Sequence, residues 1–262
     1  MRHAWRIRYF KLDACYWDAV RGGYHDPGAT RVQAYRAAMR AIIASVGDDA
    51  FVLGCNAPMW PSLGLVHGMS VSDDVRRDGS RIRQIARESL LRIWQNDELW
   101  VLDPDCVCLR NIPGETAAPE DYAFHLASHL ACSGMVFSGD RLGDLDASQR
   151  RALALLASHA ARAHSAEVVL NDDLSRADLT VDGQPVVCLF NWGTQPRVFE
   201  LNAGVSDLPT ERADSSSRVV VEPGCARILD PTGHWRRLRT GRVRSQATAR
   251  AGERPTSFLE KS

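Results

Sequence analysis

The stretch Tyr9-Phe10-Lys11-Leu12-Asp13-Ala14-Cys15-Tyr16 alternates apolar and polar residues in the manner of a β-strand. Its apolar positions predict a buried strand, and the opposite face brings Lys11 and Asp13 together at the carboxyl end. In an α/β barrel the carboxyl ends of the strands carry the chemistry. A carboxylate beside an ammonium there suits a nucleophile next to a cation that binds hydroxyl groups. A buried ion pair that fixes the strand end is the alternative interpretation.

The composition limits the classes of function. The chain has 262 residues, with 32 Lys+Arg and 32 Asp+Glu, so its formal net charge is zero. This balance argues against a nucleic-acid or membrane-surface partner for the body of the protein. No apolar run reaches the length of a membrane span, and the start lacks the apolar stretch of a signal peptide. Seven cysteines, an odd number without metal-ligand spacing, favour a reducing, cytoplasmic compartment and no structural zinc.

Short apolar runs alternate with amphipathic helices from residue 9 to about residue 170, a pattern typical of repeated βα units. Thr30 and Gln33 predict a capping box for a helix that ends at Gly47. Further helices are predicted at 80–95, 119–132 and 147–163, and further strands at 50–55, 66–71, 99–102 and 135–138. These segments and the opening strand give five strands, whereas a complete (β/α)8 barrel has eight. We therefore expect the C-terminal part of such a barrel, without its opening strands.

The composition changes after about residue 176. Residues 180–183 and Pro223-Gly224 predict turns, and strands are expected at 186–191, 197–201, 219–221 and 225–229. These elements predict a small antiparallel β domain over residues 177–235, after a partial barrel domain over residues 1–176. Residues 236–262 are rich in arginine and lack apolar periodicity, so we expect a basic, disordered tail.

Carboxylates follow four of the predicted strands: Asp13, Asp73 with Asp74, Asp103 with Asp105, and Asp140 with Asp144. Several carboxylates at one mouth repel one another unless a cationic substrate, a metal or a tuned pair of acids uses them. His67 is the one histidine near these strand ends, and we interpret it as structural. One ionised and one protonated carboxyl group on opposite sides of a sugar ring define glycoside hydrolysis. We therefore expect no metal, no cofactor and a pair of catalytic carboxyl groups.

Four motifs occur in a characteristic order and spacing: Lys11-Leu12-Asp13, residues 53–58 with 61–64, Asp103-Pro104-Asp105-Cys106, and Phe190-Asn191-Trp192. Together they resemble the α-galactosidases (melibiases) of glycoside hydrolase family 36 in clan D, over residues 9–230. The resemblance implies a retaining hydrolase that acts on terminal α-linked galactosides, so the expected partner is an α-galactoside oligosaccharide or glycoside. No oligomeric state is implied.

The resemblance also implies catalytic roles. Asp13 matches the nucleophile, and Asp74 matches the acid/base, with Asp73 as the alternative if the register is shifted by one. In the implied reaction Asp13 attacks the anomeric carbon while protonated Asp74 donates to the leaving oxygen. Asp74 then acts as a base and activates water against the glycosyl-enzyme ester.

Four further residues are candidates for substrate binding. Lys11 matches the family's lysine that hydrogen-bonds sugar hydroxyls. Cys55 and Asn56 stand where a barrel strand would meet the sugar, although packing is the alternative for Cys55. Asp105 is the fourth candidate, and capping of an Asp-Pro-Asp turn is its alternative role.

Two departures from the family pattern leave other functions open. Ser70 stands where the family usually has an arginine, four residues before the acid/base. The opening strands that supply an aromatic wall and acidic galactose ligands are not in the sequence. The alternatives are an inactive truncated relative or sugar-binding fragment, and an α-N-acetylgalactosaminidase or galactosyl transferase on the same barrel. Phe190 and Trp192 could form a sugar platform, but their strand spacing favours the core of the β domain.

Overall fold

The computed structural model describes residues 2–160, 168–181, 183–201, 205–207, 213–214 and 217–231. The predicted tail, 236–262, lies outside the described residues, as do 161–163 of the last predicted helix and residue 182 of a predicted turn. The described helices are α1 (Arg2–Trp5), α2 (Arg31–Val46), α3 (Gly79–Leu90), α4 (Pro119–Cys132) and α5 (Ala147–Ala160). The described strands are β1 (Tyr9–Leu12), β2 (Phe51–Gly54), β3 (Gly68–Ser70), β4 (Val101–Asp103), β5 (Cys106–Val107), β6 (Phe137–Ser138), β7 (Val168–Leu170), β8 (Arg176–Val181), β9 (Gln184–Phe190), β10 (Arg197–Glu200), β11 (Val205–Asp207), β12 (Ala213–Asp214), β13 (Arg218–Val221) and β14 (Ala226–Asp230).

Strands β1 to β4 form a parallel sheet in sequence order. The N–H of Met135 donates to the carbonyl of Leu102 at 2.8 Å, and β6 pairs in parallel with β5, so the arrangement continues past β4. Because all these strands run in one direction, their carboxyl ends and the loops that follow share one mouth. The predicted succession of βα units is confirmed.

Strand β1 is more exposed than its sequence predicts. Tyr9 and Lys11 are exposed and Phe10 and Leu12 are half-buried. Within the described residues β1 stands at the edge of the parallel sheet and pairs with β2 alone. The prediction of a buried strand is wrong, because alternation identifies a strand but does not locate it within a sheet.

The predicted helices form, with differences at some ends. Thr30 and Gln33 make the reciprocal capping box at the start of α2, and α4 has the predicted bounds. The helix predicted to reach residue 95 ends at Leu90, and Ile93–Gln95 forms a separate 3-10 turn. Strand β5, directly after the Asp-Pro-Asp turn, is not among the sequence predictions.

The C-terminal part is a six-stranded antiparallel sheet in the order β12-β11-β14-β9-β8-β7, accompanied by the antiparallel pair β10–β13. β7 and β8 begin before residue 177, and the domain boundary placed there from the sequence stays a prediction. Phe124 of α4 packs against Phe190 and Trp192, with ring centroids 5.2 and 4.8 Å apart. Trp192 also donates its indole N–H to the carbonyl of Leu174 at 2.7 Å. Phe190 and Trp192 therefore belong to the core, as their spacing predicts, and the fold class is confirmed.

The described residues also show the character of the helices and the state of the cysteines. No helix among them combines the length and the apolar character that a membrane crossing requires. All seven cysteines lie within the described residues, and each is a free thiol.

Candidate active site

Asp13 lies in the turn between β1 and the short 3-10 helix Cys15–Ala19, and its side chain is exposed. Ala14 adopts the left-handed backbone region, with φ of 55°, and its N–H donates to Asp13 Oδ1 at 2.6 Å. The side-chain amide of Asn56 donates to the same oxygen at 3.3 Å. The Ala14 N–H first, then the Cys55 thiol and the Asn56 amide, lower the pKa of Asp13. This carboxylate is therefore held ionised and accessible, as a nucleophile must be.

Asp103 is a fully buried carboxylate that joins neighbouring strand ends. Ser70 Oγ donates to Asp103 Oδ2 at 2.6 Å, and the N–H of Asp105 donates to Oδ1 at 3.0 Å. Lys11 Nζ lies 3.6 Å from Asp103 Oδ2. Burial lowers the pKa of Lys11, but the negative charge of Asp103 and weaker nearby charges outweigh it, so the pKa is raised. Lys11 therefore stays a cation, and its ion pair with the buried Asp103 carboxylate holds it at the mouth of the sheet.

The role of Asp103 is missed by the sequence analysis, which places Asp103 in a turn. The signal that finds it is the strand register, in which Ser70 of β3 pairs with Asp103 of β4. Polar residues at matching positions of adjacent parallel strands point to the same side of the sheet. That register depends on pairing between distant segments, so it becomes visible only in the folded sheet.

Cys55 is buried, with 6% of its surface exposed, and lies near both Asp13 and Ser70. Burial raises the pKa of Cys55 to about 11, and the neighbouring Asp13 acts in the same direction, so the thiol stays protonated. Asn56 is exposed and donates to Asp13. Substrate contacts by Cys55 and Asn56 stay predictions; what the structure adds is the hydrogen bond from Asn56 to Asp13.

Asp73 and Asp74 are exposed in the loop between β3 and α3. The Asp73 carboxylate accepts the Asp74 N–H at 2.8 Å and pairs with Arg81 at 2.6 Å. These contacts, the backbone one first, lower the pKa of Asp73, and a carboxyl group held ionised is a poor proton donor. Arg81 Nε donates to the Asp74 carbonyl at 2.8 Å, whereas no hydrogen bond to the Asp74 carboxylate is found among the described residues. Asp74 thus suits the role of proton donor better than Asp73.

Asp105 borders the same loop. Its Oδ2 accepts the N–H of Val75 at 2.6 Å, next to Asp74. Hydrogen bonds therefore run from Ser70 through Asp103 to Asp105 and on to the loop that carries Asp74. Lys11, through its ion pair with Asp103, and the Asp74 loop belong to one connected polar network. A substrate contact by Asp105 stays a prediction.

The remaining candidates have structural partners. Asp140 is buried and pairs with Arg77 at 2.8 Å, and Asp144 pairs with Arg110 at 2.7 Å. His67 Nδ1 accepts the N–H of Val52 at 3.0 Å, and burial lowers the pKa of His67, which confirms its structural interpretation. Within the described ranges, no group of three or more His, Cys, Asp or Glu side chains is arranged to hold a metal ion.

No family model matches the chain. It is similar in structure to a family 27 β-L-arabinopyranosidase from Geobacillus stearothermophilus, with a TM-score of 0.62 and 13% identity over 87% of this chain and 58% of that one. It is also similar to an α-galactosidase from Thermus thermophilus in complex with p-nitrophenyl α-D-galactopyranoside, with a TM-score of 0.52 and 26% identity over 70% of this chain and 37% of that one. A third similar structure is that of an α-galactosidase from Saccharomyces cerevisiae with raffinose. Its TM-score is 0.55, with 13% identity over 87% of this chain and 73% of that one.

The fold is that of the C-terminal part of a (β/α)8 barrel followed by an antiparallel β domain, as in these glycoside hydrolases. Two of these three neighbours share too few residues with the chain to indicate more than the fold. The chain spans less than three fifths of the length of the arabinopyranosidase and about a third of the Thermus enzyme. In such barrels the reacting groups lie at the carboxyl ends of the strands. Asp13, Asp74 and Lys11 occupy that mouth here.

Proposed function

We propose that this chain carries both catalytic carboxyl groups of an α-galactosidase-like retaining glycoside hydrolase, of family 36 in clan D, acting on terminal α-linked galactosides. The observation that carries the proposal is the contrast between two exposed carboxyl groups at one mouth. Asp13 accepts hydrogen bonds from two donors, the Ala14 N–H and the Asn56 amide, and its pKa is lowered, whereas the carboxylate of Asp74 accepts no hydrogen bond from the described residues. One ionised and one proton-donating carboxyl group are what a double displacement requires.

In the proposed reaction Lys11 binds a hydroxyl group of the galactose ring and holds the anomeric carbon over Asp13. Asp13 forms a bond to that carbon as the bond to the leaving oxygen breaks, and Asp74 transfers its proton to that oxygen. Asp74, now ionised, takes a proton from water, which attacks the same carbon and releases Asp13. The configuration at the anomeric carbon is retained because it is inverted twice.

One comparison supports galactosides as the substrate class. The Thermus enzyme, 26% identical over 70% of this chain, was solved with p-nitrophenyl α-D-galactopyranoside. Because the chain spans only part of the length of these neighbours, activity is proposed for the complete gene product that contains this chain. A cytoplasmic location is proposed from its seven free thiols.

The acid/base assignment has a test based on leaving groups. In the complete gene product, Asp74→Ala should lower kcat/KM for an alkyl α-galactoside by on the order of a hundredfold or more, because that leaving oxygen needs a proton. The value for a nitrophenyl α-galactoside, whose leaving group needs none, should change little. Asp73→Ala is the matched control, since Asp73 is its exposed neighbour.

Three outcomes of this test would contradict the proposal in different ways. The leaving-group pattern in Asp73→Ala but not in Asp74→Ala would move the acid/base role by one residue. Hydrolysis of an α-N-acetylgalactosaminide in preference to the galactoside would change the sugar. Absence of hydrolysis of any galactoside by the complete gene product would overturn the proposed activity.

A non-catalytic sugar-binding protein is the second candidate function. The observation that favours it is Ser70, which stands where the resembling family usually has an arginine and which donates to Asp103 instead. A small hydroxyl in that position cannot provide a charge-assisted bond to a sugar. Calorimetric binding of galactose without hydrolysis of a nitrophenyl galactoside would support this candidate.

A further inference from the structure

Arg77 is a buried cation in the loop between β3 and α3, with 8% of its surface exposed. Its Nε donates to the carbonyl of Arg110 at 2.8 Å. Its Nη2 donates to the carbonyl of Gly139 at 2.9 Å and to Asp140 Oδ1 at 2.8 Å. Glu115 lies 3.5 Å from Nη1 and accepts the N–H of Arg77 as well. All three guanidinium nitrogens of Arg77 therefore have an acceptor nearby.

The acceptors of Arg77 belong to two other loops at the same mouth. Arg110 follows β5, and Gly139 and Asp140 follow β6. The Asp140 side chain is fully buried, and its second oxygen accepts the N–H of Leu109 at 2.7 Å. The guanidinium thus joins the loop after β3, a strand of the four-stranded sheet, to the loops after the paired strands β5 and β6. A planar, fully bonded group of this kind fixes distance and orientation together.

The loop held in this way is the one that carries Asp74, three residues before Arg77. The contacts of Asp74 with Arg81 tie it only to the helix that follows. The bond from Val75 to Asp105 and the contacts of Arg77 are the ones that tie the loop across the mouth. Without Arg77, one of these two attachments would be lost.

We propose that Arg77 is a positioning residue that holds Asp74 at the distance from the sugar at which proton transfer occurs. The inference rests on the proposed function of Asp74 and goes beyond it, because Arg77 touches neither the sugar nor Asp74. A displacement of about 1 Å at a catalytic group lowers the rate by on the order of a hundredfold. The loss should fall on the proton-transfer step alone.

Arg83 provides a matched control. It is also an arginine in an ion pair, with Asp121, but that pair joins α3 to α4. Arg83 is not attached to the loop that carries Asp74. Loss of its charge should therefore affect the packing of the helices without moving the acid/base.

The first measurement is kcat/KM, which reports formation of the glycosyl-enzyme, in the complete gene product. Arg77→Met should lower it for an alkyl α-galactoside by about tenfold to a hundredfold and for a nitrophenyl α-galactoside by less than about threefold. Arg83→Met should lower both values equally or leave both unchanged. Equal losses on the two substrates in Arg77→Met would overturn the inference, because a merely structural role does not distinguish leaving groups.

A second variant guards against misfolding. Removing Arg77 alone leaves Asp140 buried without its cation, whereas Arg77→Met combined with Asp140→Asn removes both charges and keeps an acceptor for Leu109. The double variant should show the same dependence on the leaving group. A double variant that folds and hydrolyses both substrates at the unmodified rates would overturn the inference.

A third measurement does not depend on activity. Hydrogen exchange at the Val75 amide, which donates to Asp105 at 2.6 Å, should become at least about tenfold faster in both Arg77 variants and stay unchanged in Arg83→Met. Unchanged exchange at Val75 would refute a role of Arg77 in holding this loop. A complete gene product that hydrolyses no galactoside would contradict the proposed function instead, and the exchange rates would still decide the role of Arg77.

Discussion

A pair of buried histidines on α4 should make the fold sensitive to acid. His125 and His129 are both buried, with ring centroids 4.4 Å apart. One ring nitrogen of His125 lies 3.2 Å from the carbonyl of Cys106. Burial lowers the pKa of His125 from 6.5 to about 4, and burial together with the neighbouring His125 lowers the pKa of His129 well below its ordinary value. Both rings are therefore neutral in the folded protein near neutral pH.

The sign and size of the effect follow from proton linkage. Between the folded pKa of about 4 and the unfolded value of 6.5, the unfolded chain binds a proton at His125 that the folded chain does not. The free energy of unfolding is thus at its full value above the unfolded pKa and falls as the pH drops toward 4. From pH 7 to pH 5, His125 alone should remove about 2 kcal/mol. His129 acts in the same direction.

Urea unfolding of the complete gene product at several pH values measures this loss. In His125→Gln the free energy of unfolding should fall less steeply between pH 7 and pH 5, because unfolding of this variant takes up about one proton fewer. His25→Gln, in an exposed loop, is the matched control and should leave the slope unchanged. Identical slopes in the unmodified chain and in His125→Gln would refute the reasoning, because the buried ring would then not control proton uptake.

Three further outcomes are expected. Asp103→Asn keeps the shape of a fully buried side chain but removes its charge, and should lower the free energy of unfolding by about 1.5–3 kcal/mol in urea titrations; an unchanged midpoint would contradict its central place in the network. Gly134→Ala should lower the melting temperature because the added Cβ would collide with the carbonyl oxygen of Leu102, whereas Gly143→Ala, which has open space, should not. The 262-residue chain by itself should associate through the exposed edge Tyr9–Leu12 in sedimentation experiments and show negligible turnover of a nitrophenyl α-galactoside; a monomer that melts cooperatively and hydrolyses it would contradict this expectation.

Local patterns were sufficient to predict much of the fold. The capping box of Thr30 and Gln33 and the bounds of α4 depend on residues within a few positions of each other, and both were correct. The core placement of Phe190 followed from strand alternation in the same way. Such signals are written in consecutive residues, because backbone capping and side-chain periodicity are local properties.

Features that depend on long-range pairing could not be predicted. Among the described residues β1 pairs with β2 alone, which sets its edge position, and the contact between Ser70 and Asp103 is set by the register of β3 and β4. β5 forms because Cys106 pairs with Phe137, far along the chain. In the candidate site, motif matching indicated Asp13 and Asp74, but the bond from Asn56 to Asp13 and the bond from Val75 to Asp105 each join segments that are distant in the sequence.

The central claim is that Asp13 is the nucleophile of a retaining galactosidase. Asp13→Gly in the complete gene product tests it most directly, because glycine removes the carboxylate and leaves room for a small anion in its place. The account predicts that this variant loses nearly all hydrolysis of a nitrophenyl α-galactoside and recovers turnover when azide is supplied. The product of the recovered reaction should be β-galactosyl azide, since azide attacks from the face that Asp13 occupied. Hydrolysis retained without azide would contradict the account.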